Sequence, residues 1–121
     1  MKLNPDCVRG ILLTIEEKCD FSTSWYYSKN ELESKYLTKY SHEEIIYHIG
    51  QCDKSGLIDG VAYYDGGDSI LIGDLSPYGH EFLANIRTET VWKKLSKLSS
   101  ASLPVLFDLA KDFALAYYQQ N

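Results

Sequence analysis

The sequence predicts an α+β domain in which a helix-turn-helix pair runs into a two-stranded β-hairpin, with further helices behind it. Three observations predict it. Two capping boxes, Ser28 with Glu31 and Ser41 with Glu44, mark two successive helix starts. The tetrad Asp65-Gly66-Gly67-Asp68 lies between two β-rich runs, residues 61–64 and 69–75, which is a strong hairpin signal. Ser76 followed by Pro77, and Pro104 behind Ser102, then open helices beyond the hairpin.

The elements follow in order. The first helix spans about residues 5–18, with Asn4 as N-cap, Pro5 at the first helical position and Asp6 against the helix dipole. Val8, Ile11, Leu12 and Ile15 form its apolar stripe. Leu13 points about 140° away from Val8, so it is either exposed or covered by another element. Residues 20–27 read as a loop or a short edge strand. A second helix is expected over about 29–37 and a third over 42–55, joined by the short link Leu37-Thr38-Lys39-Tyr40. Gly56 can take the left-handed position that ends the third helix, and Leu57 and Ile58 lead into the hairpin. The helix behind the hairpin turns Phe82, Leu83 and Ile86 inward. Another, over 89–98, carries Val91, Trp92, Leu95 and Leu98, and a last one runs from near Pro104 toward Tyr118.

Helix, strand, helix, turn, helix, hairpin, helix is the order that resembles a winged helix-turn-helix. The stretch 40–58 looks like a recognition helix entering a wing strand, and Leu75 to Leu83 looks like the Leu-Thr-x-x-Gly-x-x-x-Leu start of a post-wing helix. With the opening residues 1–18, these motifs resemble a family of small phage and Firmicute proteins grouped as a domain of unknown function. The resemblance covers most of residues 1–95. It implies a winged-helix fold and a mobile-element setting, and brings no catalytic residues. On this reading residues 1–99 form the domain, with the helix-turn-helix at 28–56, the two-stranded wing at 57–75 and the post-wing helix at 76–87. Residues 100–121 form a C-terminal helix packed on the domain or at a dimer interface.

Composition fits a single globular domain: 121 residues, 45% hydrophobic and 24% charged. No apolar run reaches the roughly 20 residues that cross a bilayer, and no apolar leader opens the chain, so a cytoplasmic protein without membrane contact is expected. Cys7, Cys19 and Cys52 are odd in number and form no C-x-x-C pair, which argues against disulfides and zinc. His48 and Cys52 stand one helical turn apart, but nothing nearby completes a metal site. No phosphate loop, nucleophile elbow or dinucleotide fingerprint is present, so neither cofactor nor catalysis is expected.

Charge bears on the partner. Residues 28–75 hold four lysines against nine acidic residues, which accounts for the whole net charge of −5. With Ile45, Ile49 and Cys52 turned inward, a candidate recognition face on the third helix carries Glu43, Tyr47, Gln51 and Lys54. The wing, with its tip at Asp65, Gly66, Gly67 and Asp68, has no Lys or Arg in residues 59–75. Phosphate contacts supply much of DNA affinity, so this wing disfavours DNA as the partner. The last helix points to protein instead. Leu106, Phe107, Ala110, Phe113, Ala114, Tyr117 and Tyr118 belong to an apolar arc of about 220°, wider than the roughly 100° a surface helix needs. These seven form a candidate dimer or partner surface. The expectation is a non-catalytic interaction module acting on itself or on a protein partner, with sequence-specific DNA binding as the alternative.

Overall fold

The computed structural model describes residues 1–30, 34–97 and 102–120. Helix α1 (Pro5–Lys18) is the centre of the fold and touches helix α2 (His42–Lys54), helix α3 (Pro77–Ile86) and strand β5 (Asp74–Leu75). The Asn4 side chain accepts from the Asp6 N–H at 3.0 Å, as the capping pattern requires. Cys7, Val8, Ile11, Leu12 and Ile15 are buried, and Leu13 is covered in part by the edge of the core. Gly10 is needed here. A Cβ at this position meets the Tyr36 carbonyl oxygen at 2.9 Å and Leu37 at 3.1 Å, so the loop ahead of α2 lies directly on the α1 backbone.

That loop departs from expectation. In place of a helix over 29–37, residues 34–40 are a run of turns, with the Leu37 N–H donating to the Ser34 carbonyl and the Tyr40 N–H to the Leu37 carbonyl. Residues 31–33, and with them the Ser28–Glu31 capping box, lie outside the described residues. The physical reason is Ser34. Its hydroxyl accepts from the Tyr36 N–H at 3.2 Å and lies 2.6 Å from the buried Thr14 hydroxyl of α1. A local side-chain bond of this kind competes with the helical ladder, and the tertiary one fixes the outcome. Leu37 then inserts fully into the core.

Helix α2 keeps its predicted start. Ser41 and Glu44 exchange side-chain bonds with each other's backbone N–H at 3.2 and 3.1 Å. Gly56 takes a φ of 75° behind it. Ile45, His48, Ile49 and Cys52 form the buried stripe.

The hairpin is larger than two strands. Strand β1 (Trp25–Tyr27), β3 (Ala62–Tyr64) and β4 (Ser69–Ile72) make an antiparallel sheet in the order β1-β4-β3. Of the two readings of residues 20–27, loop or short edge strand, β1 realises the strand over Trp25–Tyr27, and it turns the predicted two-stranded wing into three. The predicted run 69–75 breaks at Gly73, so β2 (Ile58–Asp59) and β5 pair as a separate two-stranded ladder. The backbones of Gly60 and Gly73 approach closely at the break, and Gly60 has a φ of 66°.

Three helices close the fold. Ser76 caps α3 by accepting from the Gly79 N–H at 2.9 Å, and donates to the Gly56 carbonyl. Helix α4 (Glu89–Ser96) buries Val91, Trp92 and Leu95; Leu98 lies outside the described residues. The Trp92 indole N–H donates to the Asp6 carboxylate at 2.8 Å and the Arg9 guanidinium covers the Trp92 ring. Arg87 donates to Glu16 on α1.

Helix α5 (Leu103–Gln120) packs on α3 and α4 rather than on α1. This corrects the reading of its wide apolar arc. Leu106, Phe107, Ala110 and Ala114 are buried within the chain, and Leu103, Leu106, Phe107 and Ala110 belong to the same core as α1. Phe113 and Tyr117 are half-buried, and nothing is described of the Tyr118 side chain. Both α3 and α4 pack on α5, which covers much of the arc inside the chain, while Val105 stays exposed.

Candidate interaction surface

The sheet β1-β4-β3 has one face in the core and one in solvent. Register sets Trp25 opposite Ile72 and Tyr27 opposite Ile70, and all four are buried. The alternate residues therefore face outward. Tyr26, Leu71 and Ala62 form one outward row, and Tyr64 lies opposite Ser69 in the next. Tyr26 is 42% exposed and Tyr64 49%, and their rings meet across β4 with centroids 6.3 Å apart. The Ser69 hydroxyl donates to the Asp65 carboxylate at 3.0 Å, which draws the acidic tip toward the same face.

Two side-chain links tie α2 to this sheet. The Tyr27 ring stacks on His42, with its hydroxyl 2.8 Å from Nδ1, and His42 Nε2 lies 3.3 Å from the Asp68 carboxylate. The tautomer that satisfies both bonds accepts at Nδ1 from Tyr27 and donates from Nε2 to Asp68. At the other end the Tyr63 hydroxyl donates to Asp53 at 2.7 Å. Burial, reinforced by that bond to a carboxylate, pushes the Tyr63 phenol up to about 12.

The predicted recognition residues are only partly presented. Glu43 and Lys54 are exposed, whereas Tyr47 and Gln51 are half-buried. The Tyr47 ring stands edge-on to His48 at 5.0 Å. At the tip, Asp65, Gly66 and Gly67 have consecutive left-handed φ values of 54°, 68° and 98°. Asp65 is the one non-glycine in that region among the described residues. The structure does not gather the recognition residues and the tip into one cluster; among the described residues, His42 bridges from α2 to Asp68.

His48 and Cys52 serve the core. The His48 Nδ1–H donates to the Glu44 carbonyl and Nε2 accepts from the Asn4 N–H at 2.8 Å. Burial holds the imidazole below its ordinary value, in the neutral form these bonds need. No group of three metal-ligating side chains occurs among the described residues. Nor is any helix among them long and apolar enough to cross a membrane.

Sequence reasoning missed the outward tyrosines and both α2 links. The strict alternation in Trp25-Tyr26-Tyr27 was the available signal for the first. No local signal exists for the links, since their partners lie 10 to 26 residues apart.

The geometry is that of a small α+β domain with five described α-helices and two small antiparallel sheets, one showing tyrosines and aspartates to solvent. The chain belongs to the family described as "Hypothetical protein (DUF2513)", whose model matches residues 2–102. It is also similar to an "Uncharacterized protein" of Haemophilus influenzae, at 31% identity over 122 residues, covering 99% of this chain and 98% of the relative. That relative spans α5 as well, although the family model stops at residue 102. No solved structure matches the chain.

Proposed function

We propose that this chain is a non-catalytic winged-helix module of phage or mobile-element origin that acts in the cytoplasm through protein–protein contacts. The order helix, strand, helix, hairpin, helix supports the winged-helix part, with α2 in the recognition position. The absence of a helix over residues 34–37, where the first helix of the pair was expected to end, weakens the helix-turn-helix likeness without changing that order.

One observation carries the choice of partner. The outward face of the sheet exposes Tyr26 and Tyr64, with Asp65 and Asp68 exposed at the adjoining tip, and residues 59–75 contain no cation. Tyrosine gives contact area at low entropic cost, and exposed aromatic rings favour protein surfaces. The same aspartates oppose a phosphate backbone, each by about 1–4 kcal/mol at contact distance. On α2, Asp53 is tied to Tyr63, and Lys54 stands exposed in the last turn, at the opposite end of the helix from Glu43.

Fluorescence anisotropy with mixed-sequence duplex DNA across a salt series tests this reading. The expected result is no saturable binding at low salt. Binding tighter than about 1 μM with a steep salt slope establishes the DNA-binding alternative instead. In parallel, a photocrosslinking residue at Tyr64 is expected to trap a protein in the producing cell, and Tyr26→Ala is expected to abolish the adduct.

A further inference from the structure

The sheet β1-β4-β3 ends in two edges that differ in access. β1 forms one of them, but Trp25 and Tyr27 are buried there as whole residues, and the Tyr27 hydroxyl is held by His42. β3 forms the other, with Tyr63 48% and Tyr64 49% exposed and Ala62 half-buried. We propose that the free edge of β3 accepts a basic, extended segment of another protein as a fourth strand of this sheet. The proposal rests on the reading of the sheet as a protein-binding surface, and names the form and the charge of the partner.

An edge strand turns every second N–H and C=O away from its one neighbour, and these groups are a template for another chain. β3 is bonded to β4 on one side. Among the described residues, no backbone hydrogen bond joins Ala62, Tyr63 or Tyr64 to any other segment. Edges of this kind are ordinarily blunted by a lysine, a proline or a bulge. Residues 61–64 are Val-Ala-Tyr-Tyr, and the register with β4 runs unbroken from Ala62 to Tyr64, so none of these guards is present. The strand is also held from both faces. The Tyr63 hydroxyl donates to Asp53 on α2, and the Tyr64 ring meets Tyr26 across β4. A template fixed in this way loses little freedom when a partner arrives, which lowers the entropic cost of binding. Addition of a strand to such an edge is an established mode of peptide recognition, in which main-chain bonds supply the affinity.

Charge selects the occupant. Residues 53–68 carry Asp53, Asp59, Asp65 and Asp68 against Lys54 alone. A second copy paired edge to edge lays this acidic run along its own like, which works against self-pairing. A segment with Lys or Arg at alternate positions meets the same carboxylates with the opposite sign. β3 has three residues, so the hydrogen bonds gained are few and each is modest in net worth. A short basic peptide is therefore held at millimolar strength.

The full chain, labelled for amide NMR, is titrated with three capped hexapeptides. One alternates Lys and Val, one alternates Glu and Val, and one is the Lys-Val sequence with every backbone amide N-methylated. Saturable shifts confined to β3, β4 and the tip are expected with the Lys-Val peptide at millimolar concentration, with amide exchange in β3 at least about fivefold slower near saturation. The Glu-Val and N-methylated peptides are expected to bind at least about tenfold more weakly. The double variant Asp59→Asn, Asp65→Asn is expected to lose about fivefold in affinity for the Lys-Val peptide with an otherwise unchanged spectrum, since asparagine tolerates the left-handed backbone at residue 65. Equal affinity for either control peptide, insensitivity to the double variant, shifts centred on β1, or no saturation by about 20 mM overturns strand addition. Concentration-dependent shifts of the β3 amides without peptide assign the edge to a second copy and overturn it as well. The photocrosslink at Tyr64 reports separately on the protein-contact reading. An adduct without peptide binding removes strand addition alone, and the absence of both removes the two together.

Discussion

Replacing a helical glycine by alanine has opposite consequences at two positions of this fold. In a helix interior the change gains about 0.5–1 kcal/mol from backbone entropy alone. Gly50 lies within α2, and a Cβ there meets nothing within 4 Å. Gly50→Ala therefore stabilises by about that amount. Gly79 lies in the first turn of α3, where a Cβ overlaps the Leu57 carbonyl oxygen. The clashing atom is backbone and cannot swing aside. It also accepts the Ser76 N–H at 2.9 Å, so relief of the overlap strains the α3 cap. Overpacking costs about 1–3 kcal/mol and a weakened buried hydrogen bond about 1 kcal/mol more, against at most 1 kcal/mol gained. Gly79→Ala is therefore expected to destabilise by about 2–3 kcal/mol. At about 4 °C per kcal/mol for a domain of this size, thermal unfolding separates the two variants by on the order of 10–15 °C, on opposite sides of the wild type. A Gly79→Ala protein as stable as the wild type refutes the close approach of α3 to Leu57.

Other outcomes follow from the core and its titrating groups. Leu106→Ala removes a side chain that is 1% exposed and is expected to cost about 2–4 kcal/mol in urea unfolding; a cost near zero restores the reading of that face as a surface. Burial pushes the Cys7 thiol up to about 12 and the Cys52 thiol higher still, so a thiol reagent at pH 8 is expected to modify both only as the chain unfolds, with the half-buried Cys19 reacting first. Rapid modification of all three in the native state contradicts their burial. The folded-state pKa of His48 lies below its ordinary 6.5, so the unfolded chain takes up the proton first as pH falls. This contribution is complete above pH 6.5 and is lost progressively below it, down to the folded-state value. Urea midpoints at pH 7.5 and 5.5 are expected to differ less in His48→Gln than in the wild type; equal slopes remove His48 as the cause.

Much of the fold was legible because its signals are local. The Asn4, Ser41 and Ser76 caps act within three residues, and the Gly56 and Asp65-Gly66-Gly67 turns need only backbone freedom at their own positions. Residues 34–36 depart from the expected helix because their conformation is decided by Thr14, twenty positions from Ser34, and by the bare backbone at Gly10, whereas the link over 37–40 is a turn as expected. The same limit applies to α5. Periodicity measured the width of its apolar arc, but width does not say whether α3 and α4 or a second molecule covers it. The sheet face was half legible: alternation places Tyr26 opposite in sense to Trp25 and Tyr27, but only register across β4 brings it to Tyr64.

The ties from α4 and the end of α3 back to α1 have a bearing on how this chain is made. Asp6, Arg9 and Glu16 on the first helix find Trp92 and Arg87 only after some eighty further residues have been joined. At roughly 5–20 residues per second, these ties wait on the order of 4–15 s during synthesis. A nascent chain released before α3 has left the ribosome keeps α1 without its contacts to α3. Such an intermediate is a natural client for chaperones, and truncations that end ahead of Pro77 should accumulate as aggregate rather than as a smaller domain.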